Sequence, residues 1–301
     1  MQFAKFLKEL SQKLGFRLLF EIDDVMFHED IPDYNKFKTA FTDPKVRKCG
    51  EEIMQMCDEI TVTCEYMKEY YASKTGNKNV TVLPNYIPKF WMDRYYDQKA
   101  ISRNYDKHRR KPRILYAGSG AHIDVERRVN YKDDFHHVID AVSKSVHDFQ
   151  WVFVGAFPLP LQSLVQQGLI EFHEWRGLVE YPHFLSTLNV NAAVAPLADN
   201  TFNKCKSDLK YVEACCYGLP IACQDLCTYA NAPYKFETGD EMIDQIKYIM
   251  KNKTRYMGIS QQARNIAESR WMEDNIDKHV ELYTIPKDSG KRKHLVDNIR
   301  V

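Results

Sequence analysis

Residues 113–122 read Arg-Ile-Leu-Tyr-Ala-Gly-Ser-Gly-Ala-His, a short apolar run that passes directly into a loop with two glycines. An apolar run of this length, bounded by glycine, predicts a buried strand at Arg113–Ala117 followed by a turn. A helical pattern over Asp133–Val146 comes next, and then a second apolar run, Trp151–Val154. Strands that alternate with helices in this way predict an α/β fold with a parallel sheet.

The same alternation continues towards the C-terminus. Apolar runs predict further strands at Ile170–His173, Ala192–Ala195 and Leu219–Cys223. Apolar residues at helical spacing predict helices at Tyr181–Leu188, at Lys206–Tyr217, and near 239–252, 254–269 and 271–283. We therefore interpret residues 113–285 as one doubly wound, Rossmann-like domain.

Residues 1–105 show the same pattern on a smaller scale. A helix at Phe3–Leu14 precedes an apolar run, Arg17–Ile22, which predicts a strand ending at Asp23 and Asp24. A helix at 45–57, a strand at Ile60–Thr63, a helix at Glu65–Ser73 and a strand at Val80–Leu83 follow. We interpret this part as a partial domain of the same type, with Arg17–Ile22 at an exposed sheet edge. Because such an edge offers unpaired backbone groups, we expect a partner chain or self-association there.

Polar residues separate and follow the two domains. The stretch 103–113 is basic and contains Pro112, so we place the linker at 106–112. A solvated hinge is favoured over a phosphate or nucleic-acid contact at this stretch. Residues 286–301, which include the basic Gly290–Lys293, are predicted to be a mobile tail.

The composition limits the classes of function. The formal net charge is +1, so no overall field directs the chain to nucleic acid or to an anionic membrane. No apolar run reaches the ~18 residues of a membrane span, and the N-terminus does not resemble a signal peptide. Cys215 and Cys216 lie in an apolar helical pattern, and Cys223 and Cys227 lack a second pair at zinc-site spacing. We expect a cytoplasmic protein with no metal site.

Gly118 and Ser119 directly follow a predicted strand, and ligands of open parallel sheets bind beyond the carboxyl ends of the strands. Glycine lets a backbone approach a phosphate closely, although a tight turn explains the glycines equally well. Ile123 stands where a dinucleotide-binding fingerprint needs its third glycine, so a dinucleotide oxidoreductase is disfavoured. A Walker loop is absent, and Asp23 and Asp24 are the nearest approach to the carboxylate cluster of a phosphatase.

The predicted helix Lys206–Tyr217 carries a second candidate site. Lys206, Lys210 and Glu213 share one stripe of the helix, at spacings of four and three residues. The helix start near Ser207, with a lysine beside it, is a potential anion site. This face suits a nucleoside diphosphate, with lysines for the phosphates and the glutamate for ribose hydroxyls. A surface Lys–Glu pair explains the spacing equally well.

Together these motifs resemble the C-terminal domain of the group 1 glycosyltransferases, which have the GT-B fold. The resemblance covers residues 112–284 and rests mainly on Lys206–Ala214 and Gly218–Pro220. It is supported by Ile114–Ser119, Trp151–Gly155, Ala195–Leu197 and Phe202–Asn203, and, in the first domain, by residues 20–24, 58–63 and 82–85. The implied fold consists of two Rossmann-like lobes of GT-B type, the N-terminal lobe being incomplete.

The resemblance implies transfer of a hexosyl or pentosyl group from a UDP- or GDP-linked donor to an acceptor hydroxyl. Retention of anomeric configuration is implied, and no metal or other cofactor. The implied donor site has Glu213 on the ribose and Lys206, Lys210 and the Ser207 N–H group on the diphosphate. Lys210 is also a catalytic candidate, because it would stabilise charge on the leaving group. Gly118 and Ser119 would approach the phosphates from the facing loop.

Further residues are placed by the same resemblance. Asn85 and Asn203 would lie in the cleft or at its hinge. Asp23 or Asp24 would orient the acceptor or the donor sugar, although helix capping and surface charge explain the pair nearly as well. Cys205 departs from the family, because many members have a glutamate at that position. Two other functions remain open: a donor-binding subunit without independent activity, and a glycosyltransferase that acts on modified DNA.

Overall fold

The structure, a computed structural model, describes residues 2–124 and 132–284. Within these ranges the chain forms two lobes, each built around its own parallel sheet. The N-terminal sheet has three strands and the C-terminal sheet has six. The predicted α/β class with parallel sheets is confirmed.

The N-terminal sheet has the strand order β1-β2-β3. Its strands are β1 (Leu19–Glu21), β2 (Glu59–Val62) and β3 (Val80–Val82). The helices of this lobe are α1 (Gln2–Leu14), α2 (Pro44–Met56) and α3 (Glu65–Thr75). Strand β1 lies at an edge, as predicted, but it is shorter than Arg17–Ile22. One reason is that the backbone N–H of Leu18 donates to the Asp58 carboxylate at 2.8 Å rather than to a neighbouring strand.

Two helices connect the lobes: α4 (Lys89–Met92) and α5 (Gln98–His108). Asp97 starts α5 by accepting hydrogen bonds from the backbone N–H groups of Lys99 and Ala100. The ring of Tyr105 in α5 packs against that of Tyr256 in the C-terminal lobe, with centroids 4.8 Å apart. Residues 106–108, which we predicted as the start of a solvated linker, are therefore the last turn of a packed helix.

The C-terminal sheet has the strand order β6-β5-β4-β7-β8-β9. Its strands are β4 (Arg113–Gly118), β5 (Gln150–Gly155), β6 (Ile170–Glu174), β7 (Ala192–Ala195), β8 (Ile221–Gln224) and β9 (Lys235–Phe236). The helices are α6 (Ile139–Lys144), α7 (Gln162–Gln166), α8 (Tyr181–Thr187), α9 (Thr201–Lys204), α10 (Leu209–Cys216), α11 (Gly239–Met250), α12 (Lys253–Ser269) and α13 (Met272–Tyr283).

The order of the strands creates a crevice beside β4. The chain runs from β4 outwards through β5 to β6, and then returns to place β7 on the other side of β4. Loops that follow two such strands leave in opposite directions, which opens a crevice at their carboxyl ends. Gly118 ends β4 and Ala195 ends β7, so the predicted glycine loop lies at this crevice.

Two predicted helices begin later than their sequence patterns indicate. The helix predicted over Asp133–Val146 is confined to α6, because Asp133 instead accepts hydrogen bonds from the backbone N–H groups of Phe135 and Asp124. The helix predicted from Lys206 begins at Leu209. The stripe of three charged residues was therefore wrong: Lys206 lies in the turn before α10, while Lys210 and Glu213 lie on the helix.

The last described helix, α13, returns to the N-terminal lobe. A parallel bridge joins Trp271, just before the helix, to Ile87. At the other end, Tyr283 donates to Glu21 of β1 at 2.8 Å, and Arg17 donates to the Leu282 carbonyl at 3.4 Å. The predicted tail at 286–301, with Gly290–Lys293, lies outside the described residues. None of the described helices has the length and apolar character needed to cross a membrane.

Candidate functional site

The loop at the end of β4 is shaped by Tyr116, whose side chain lies beneath it. Tyr116 is fully buried, and a Cβ atom at Gly118 would clash with its hydroxyl group. Glycine is therefore required at this position for a steric reason, which leaves the loop backbone uncovered. The Tyr116 hydroxyl is itself buried without a hydrogen-bond partner among the described residues. The loop therefore packs against a hydroxyl group that has no hydrogen-bond partner in the described part of the chain.

Lys210 extends from the first turn of α10 towards the same place. Its Nζ atom lies 4.8 Å from the centroid of the Tyr116 ring. This ammonium group is buried and has no hydrogen-bond partner in the described part of the chain. Burial lowers the pKa of Lys210 to about 8, and the nearby Asp134 offsets this only in part. A buried cation without a hydrogen-bonded partner costs free energy, so this arrangement favours binding of an anion.

Glu213 lies one turn further along α10. Burial raises the pKa of its carboxyl group to about 7, although Lys210 opposes the shift. A cavity of about 130 Å³ lies beside both side chains, and its wall includes Tyr181 and Tyr217. The acidic side chain is thus available next to an internal space rather than in bulk water.

Among the polar contacts that join the lobes across the crevice, two involve only residues that we singled out from the sequence. Lys206 forms an ion pair with Asp24, with Nζ and Oδ2 2.7 Å apart. Asn85 donates from its side-chain amide to the Ser207 hydroxyl at 2.9 Å. The structure therefore brings Asp24 and Asn85 of the N-terminal lobe to the turn that precedes α10.

The start of α10 is left without a side-chain cap. Asp208 is at the N-cap position, but its carboxylate instead binds Arg270 through two hydrogen bonds of 2.9 Å each. Arg270 also donates to the Asn85 carbonyl at 2.7 Å. The first N–H groups of α10 consequently have no side-chain acceptor, which is the condition for an anion site at a helix N-terminus.

A buried carboxylate, Asp134, organises the floor of the crevice. Its Oδ1 atom accepts hydrogen bonds from the Tyr34 hydroxyl at 2.8 Å, the Ala198 N–H at 2.9 Å and the Asn203 amide at 2.6 Å. Its Oδ2 atom lies 2.7 Å from Nδ1 of His122. Burial raises the pKa of Asp134, but these hydrogen bonds more than compensate and keep it below its usual value. Asp134 therefore joins four separate segments of the chain.

Three sequence-based assignments change in the structure. Asn203 is fully buried in the network around Asp134, so it does not face the cleft as we predicted. Asp23 is separate from the Asp24–Lys206 pair and lines a different cleft, of about 150 Å³, with Glu21 and Asn85. Cys205 is fully buried in the apolar core of the N-terminal lobe. Its position therefore offers no polar group to a sugar.

His122 and Asp134 belong to this site, but the sequence did not lead us to predict them. His122 was noted only as the end of the glycine loop, and Asp134 only as part of a predicted helix. One feature of the sequence could have indicated His122 as a site residue: it lies four residues after Gly118, in the loop that follows a predicted strand. No local pattern indicates Asp134, because its partner Asn203 is 69 residues away. Among the residues that the structure describes, no group of three or more His, Cys, Asp or Glu side chains could hold a metal ion.

No protein-family model matches this chain, and no curated protein matches it in sequence. Solved structures of HepE from Anabaena are similar in fold, with 12% sequence identity and 92% of this chain covered. The complexes of HepE with UDP and with UDP-glucose each give a TM-score of 0.62 and cover 76% of HepE. The complex with UDP and glucose gives 0.61 and covers 75%. These similarities, with the two parallel sheets, show two Rossmann-like lobes of GT-B type. That the N-terminal lobe is incomplete stays a prediction.

Proposed function

We propose that this chain transfers a sugar from a nucleoside-diphosphate donor, UDP- or GDP-linked, to an acceptor hydroxyl. The observation that supports this most directly is the buried Lys210 ammonium group beside the Gly118 loop. A cation in that position needs an anion, and the diphosphate of a nucleotide sugar supplies one. HepE, which has the same type of fold, binds UDP and UDP-glucose.

Each residue of the proposed donor site has a role that its chemistry supports. Lys210 and Lys206 neutralise the diphosphate, and the uncapped start of α10 offers N–H groups from Ser207 onwards. Gly118 and Ser119 allow the loop backbone to approach the phosphates. When the sugar departs, these fixed positive groups stabilise the charge that remains on the leaving group.

The finer points of the proposal rest on the resemblance to group 1 glycosyltransferases. Glu213 accepts hydrogen bonds from the ribose hydroxyls, and Asp24 orients the acceptor or the donor sugar. Anomeric configuration is retained, no metal ion takes part, and the protein works in the cytoplasm. Because Asp24 is paired with Lys206, donor binding has to loosen this pair before both groups can act.

A donor-binding subunit without independent activity is the second candidate. The observation that favours it is the position of β1, an edge strand of only three residues in a three-stranded sheet. Under this alternative, a partner chain or a second copy pairs with β1 and completes the acceptor side. Light scattering on the purified protein distinguishes a monomer from such an assembly, and a transfer assay run beside it shows whether the chain alone is active.

The test of the main proposal is a screen of UDP- and GDP-linked sugars for thermal stabilisation, followed by an assay for release of nucleoside diphosphate with the best donor. Glu213→Ala should weaken binding of UDP or GDP but not of inorganic pyrophosphate, because only the nucleotides have a ribose. Lys210→Ala should weaken binding of all three. If no nucleotide sugar or nucleoside diphosphate shifts the transition at millimolar concentration, the proposal fails.

A further inference from the structure

We propose that His122 binds the donor diphosphate through Nε2 and takes up a proton when the donor binds. The imidazole is neutral in the empty site and becomes an imidazolium in the complex. The inference rests on the proposed function and adds a residue and a proton to that site.

The orientation of His122 follows from the hydrogen bonds of Asp134. An ionised carboxylate can only accept hydrogen bonds, and the Oδ1 atom of Asp134 already accepts three. The 2.7 Å contact between Oδ2 and Nδ1 of His122 therefore requires a hydrogen on Nδ1. In the neutral ring this leaves Nε2 without a hydrogen. Because Nδ1 is fixed on the buried carboxylate, Nε2 is directed away from it, and the side chain as a whole is 12% exposed.

The surroundings of His122 place the ring at the proposed diphosphate site. Its centroid lies 6.3 Å from that of the Phe202 ring, and the same Phe202 ring lies 4.2 Å from Nζ of Lys206. Lys206 and Lys210 both act electrostatically on the imidazole. An anion that is close enough to pair with these two lysines therefore also lies close to Nε2.

The charges around His122 explain why the proton should arrive with the ligand. Burial lowers the pKa of His122 and the charge of Lys210 lowers it further, while Asp134 acts in the opposite direction. Lys206, which is paired with Asp24, also lowers this pKa. The other charged groups nearby are Asp133, beside Asp134, and Lys36, which lies against Gly120. The Tyr34 hydroxyl is bound to the far oxygen of Asp134. A diphosphate places two negative charges at the crevice, which raises the pKa of the imidazole and favours its protonated form.

The added proton has a use in the proposed reaction. When the bond between the sugar carbon and the phosphate oxygen breaks, its electron pair stays on that oxygen and adds a negative charge to the diphosphate. A protonated His122 donates an N–H hydrogen bond to the diphosphate, beside the two lysines. Asp134 acts as a positioning residue, because it fixes the ring and stabilises its charged form.

The test is calorimetric titration with UDP-glucose and, separately, with GDP-mannose, whose diphosphate esters do not titrate near neutral pH. Each titration is done near pH 7 in two buffers of different ionisation enthalpy, which reports protons taken up on binding. The wild-type protein should take up as much as about one proton per site. As the pH rises between the free and bound pKa values of His122, its affinity should fall by up to about tenfold per pH unit.

The informative variant is His122→Asn, because its amide can still donate to Asp134 but cannot titrate. It should bind about tenfold more weakly near pH 6, a loss equivalent to about 1.4 kcal/mol. It should also take up fewer protons than the wild type at the same pH, by up to about one per site, because Glu213 and Lys210 titrate in both proteins. His147→Asn changes an exposed histidine and should behave as the wild type. Lys210→Met keeps His122 and should retain the proton uptake wherever its binding is still measurable.

The outcomes separate this inference from the proposed function. Equal proton uptake by the wild type and by His122→Asn overturns the role of His122 and leaves the donor site intact. If neither nucleotide sugar binds the wild type, both proposals fall. Should His122→Asn not fold, the nitrogen chemical shifts of His122 in the wild type decide: protonation of Nε2 on addition of UDP-glucose is expected, and an unchanged neutral ring contradicts the inference.

Discussion

Asp134 and Lys210 are both buried ionisable groups at the same crevice, but folding treats them differently. Asp134 accepts three hydrogen bonds on one oxygen and contacts His122 with the other. Lys210 has no hydrogen-bond partner among the described residues and packs against the ring of Tyr116. One side chain is satisfied by the fold, whereas the other carries a charge that the fold compensates only in part.

This difference separates residues that hold the crevice together from residues that are available to a ligand. The partners of Asp134 come from both lobes, so its network fixes the relative position of Tyr34 and the glycine loop. Lys210 contributes little to that architecture, and its buried charge opposes folding. We therefore expect substitutions at the two positions to change stability in opposite directions.

The largest effect is expected for Asp134→Ala. Removal of the carboxylate takes an acceptor from the hydroxyl of Tyr34, from the N–H of Ala198 and from the amide of Asn203, which keeps the Ala198 carbonyl. A buried donor left unsatisfied costs about 1–3 kcal/mol, so these losses together should cost about 3–5 kcal/mol. Urea unfolding measures this cost, and Asp148→Ala, at an exposed aspartate, should stay within about 0.5 kcal/mol of the wild type. If Asp134→Ala lowers the free energy of unfolding by less than about 1 kcal/mol, the hydrogen bonds of Asp134 do not stabilise the fold as we expect.

An effect of opposite sign is expected for Lys210→Met. Because the folded pKa of about 8 lies below the model value of 10.5, charging the lysine is easier in the unfolded chain. The variant should be more stable than the wild type by roughly 1–3 kcal/mol below pH 8. This advantage should shrink as the pH rises from about 8 to 10.5 and vanish above that range, where the lysine is neutral in both states. Thermal unfolding across this pH range measures the difference in stability, and Lys68→Met, at an exposed lysine, is the control. A Lys210→Met variant that is less stable than the wild type would contradict the idea that the buried charge opposes folding.

The smallest effect on stability is expected for Asp24→Asn, which breaks the ion pair with Lys206 across the crevice. Both side chains reach solvent, so the change should be below about 1 kcal/mol and should decrease with added salt. The matched control is Asp199→Asn, which breaks the pair with Lys204 inside one lobe. Only Asp24→Asn should alter nucleotide-sugar affinity, because only that change frees Lys206; equal affinity changes in both variants would speak against Lys206 as a ligand residue.

The sequence predicts the sheets of this protein better than its helix starts or its buried network. Runs such as Trp151–Val154 can be recognised because a strand buried on both faces is apolar throughout. The start of α10 was predicted three residues early, and the side chain at its N-cap position, Asp208, binds Arg270, a residue far along the chain. Asp134 could not be predicted for the same reason: its hydrogen-bond partners lie between 12 and 100 residues away.

Unlike Asp134, the residues of two contacts between the lobes were indicated by the sequence: Lys206 with Asp24, and Asn85 with Ser207. All four residues were singled out from the sequence, and the structure brings them together in two direct contacts. The resemblance to group 1 glycosyltransferases placed these residues around one cleft, and parallel strands direct their carboxyl-end loops to one side of each sheet. What the sequence did not show is that Asp24 and Lys206 neutralise each other across the crevice.

The most direct test of the account is the thermal stabilisation of the wild type and of Lys210→Met by the same nucleotide sugar. A donor at about 100 times its Kd should stabilise the wild type by roughly 2.7 kcal/mol. Lys210→Met should unfold at a higher temperature than the wild type without ligand, and should gain little or nothing when the ligand is added. Equal stabilisation of both proteins, or no stabilisation of either by any UDP- or GDP-linked sugar, would contradict the claim that the charge of Lys210 is left for a diphosphate to compensate.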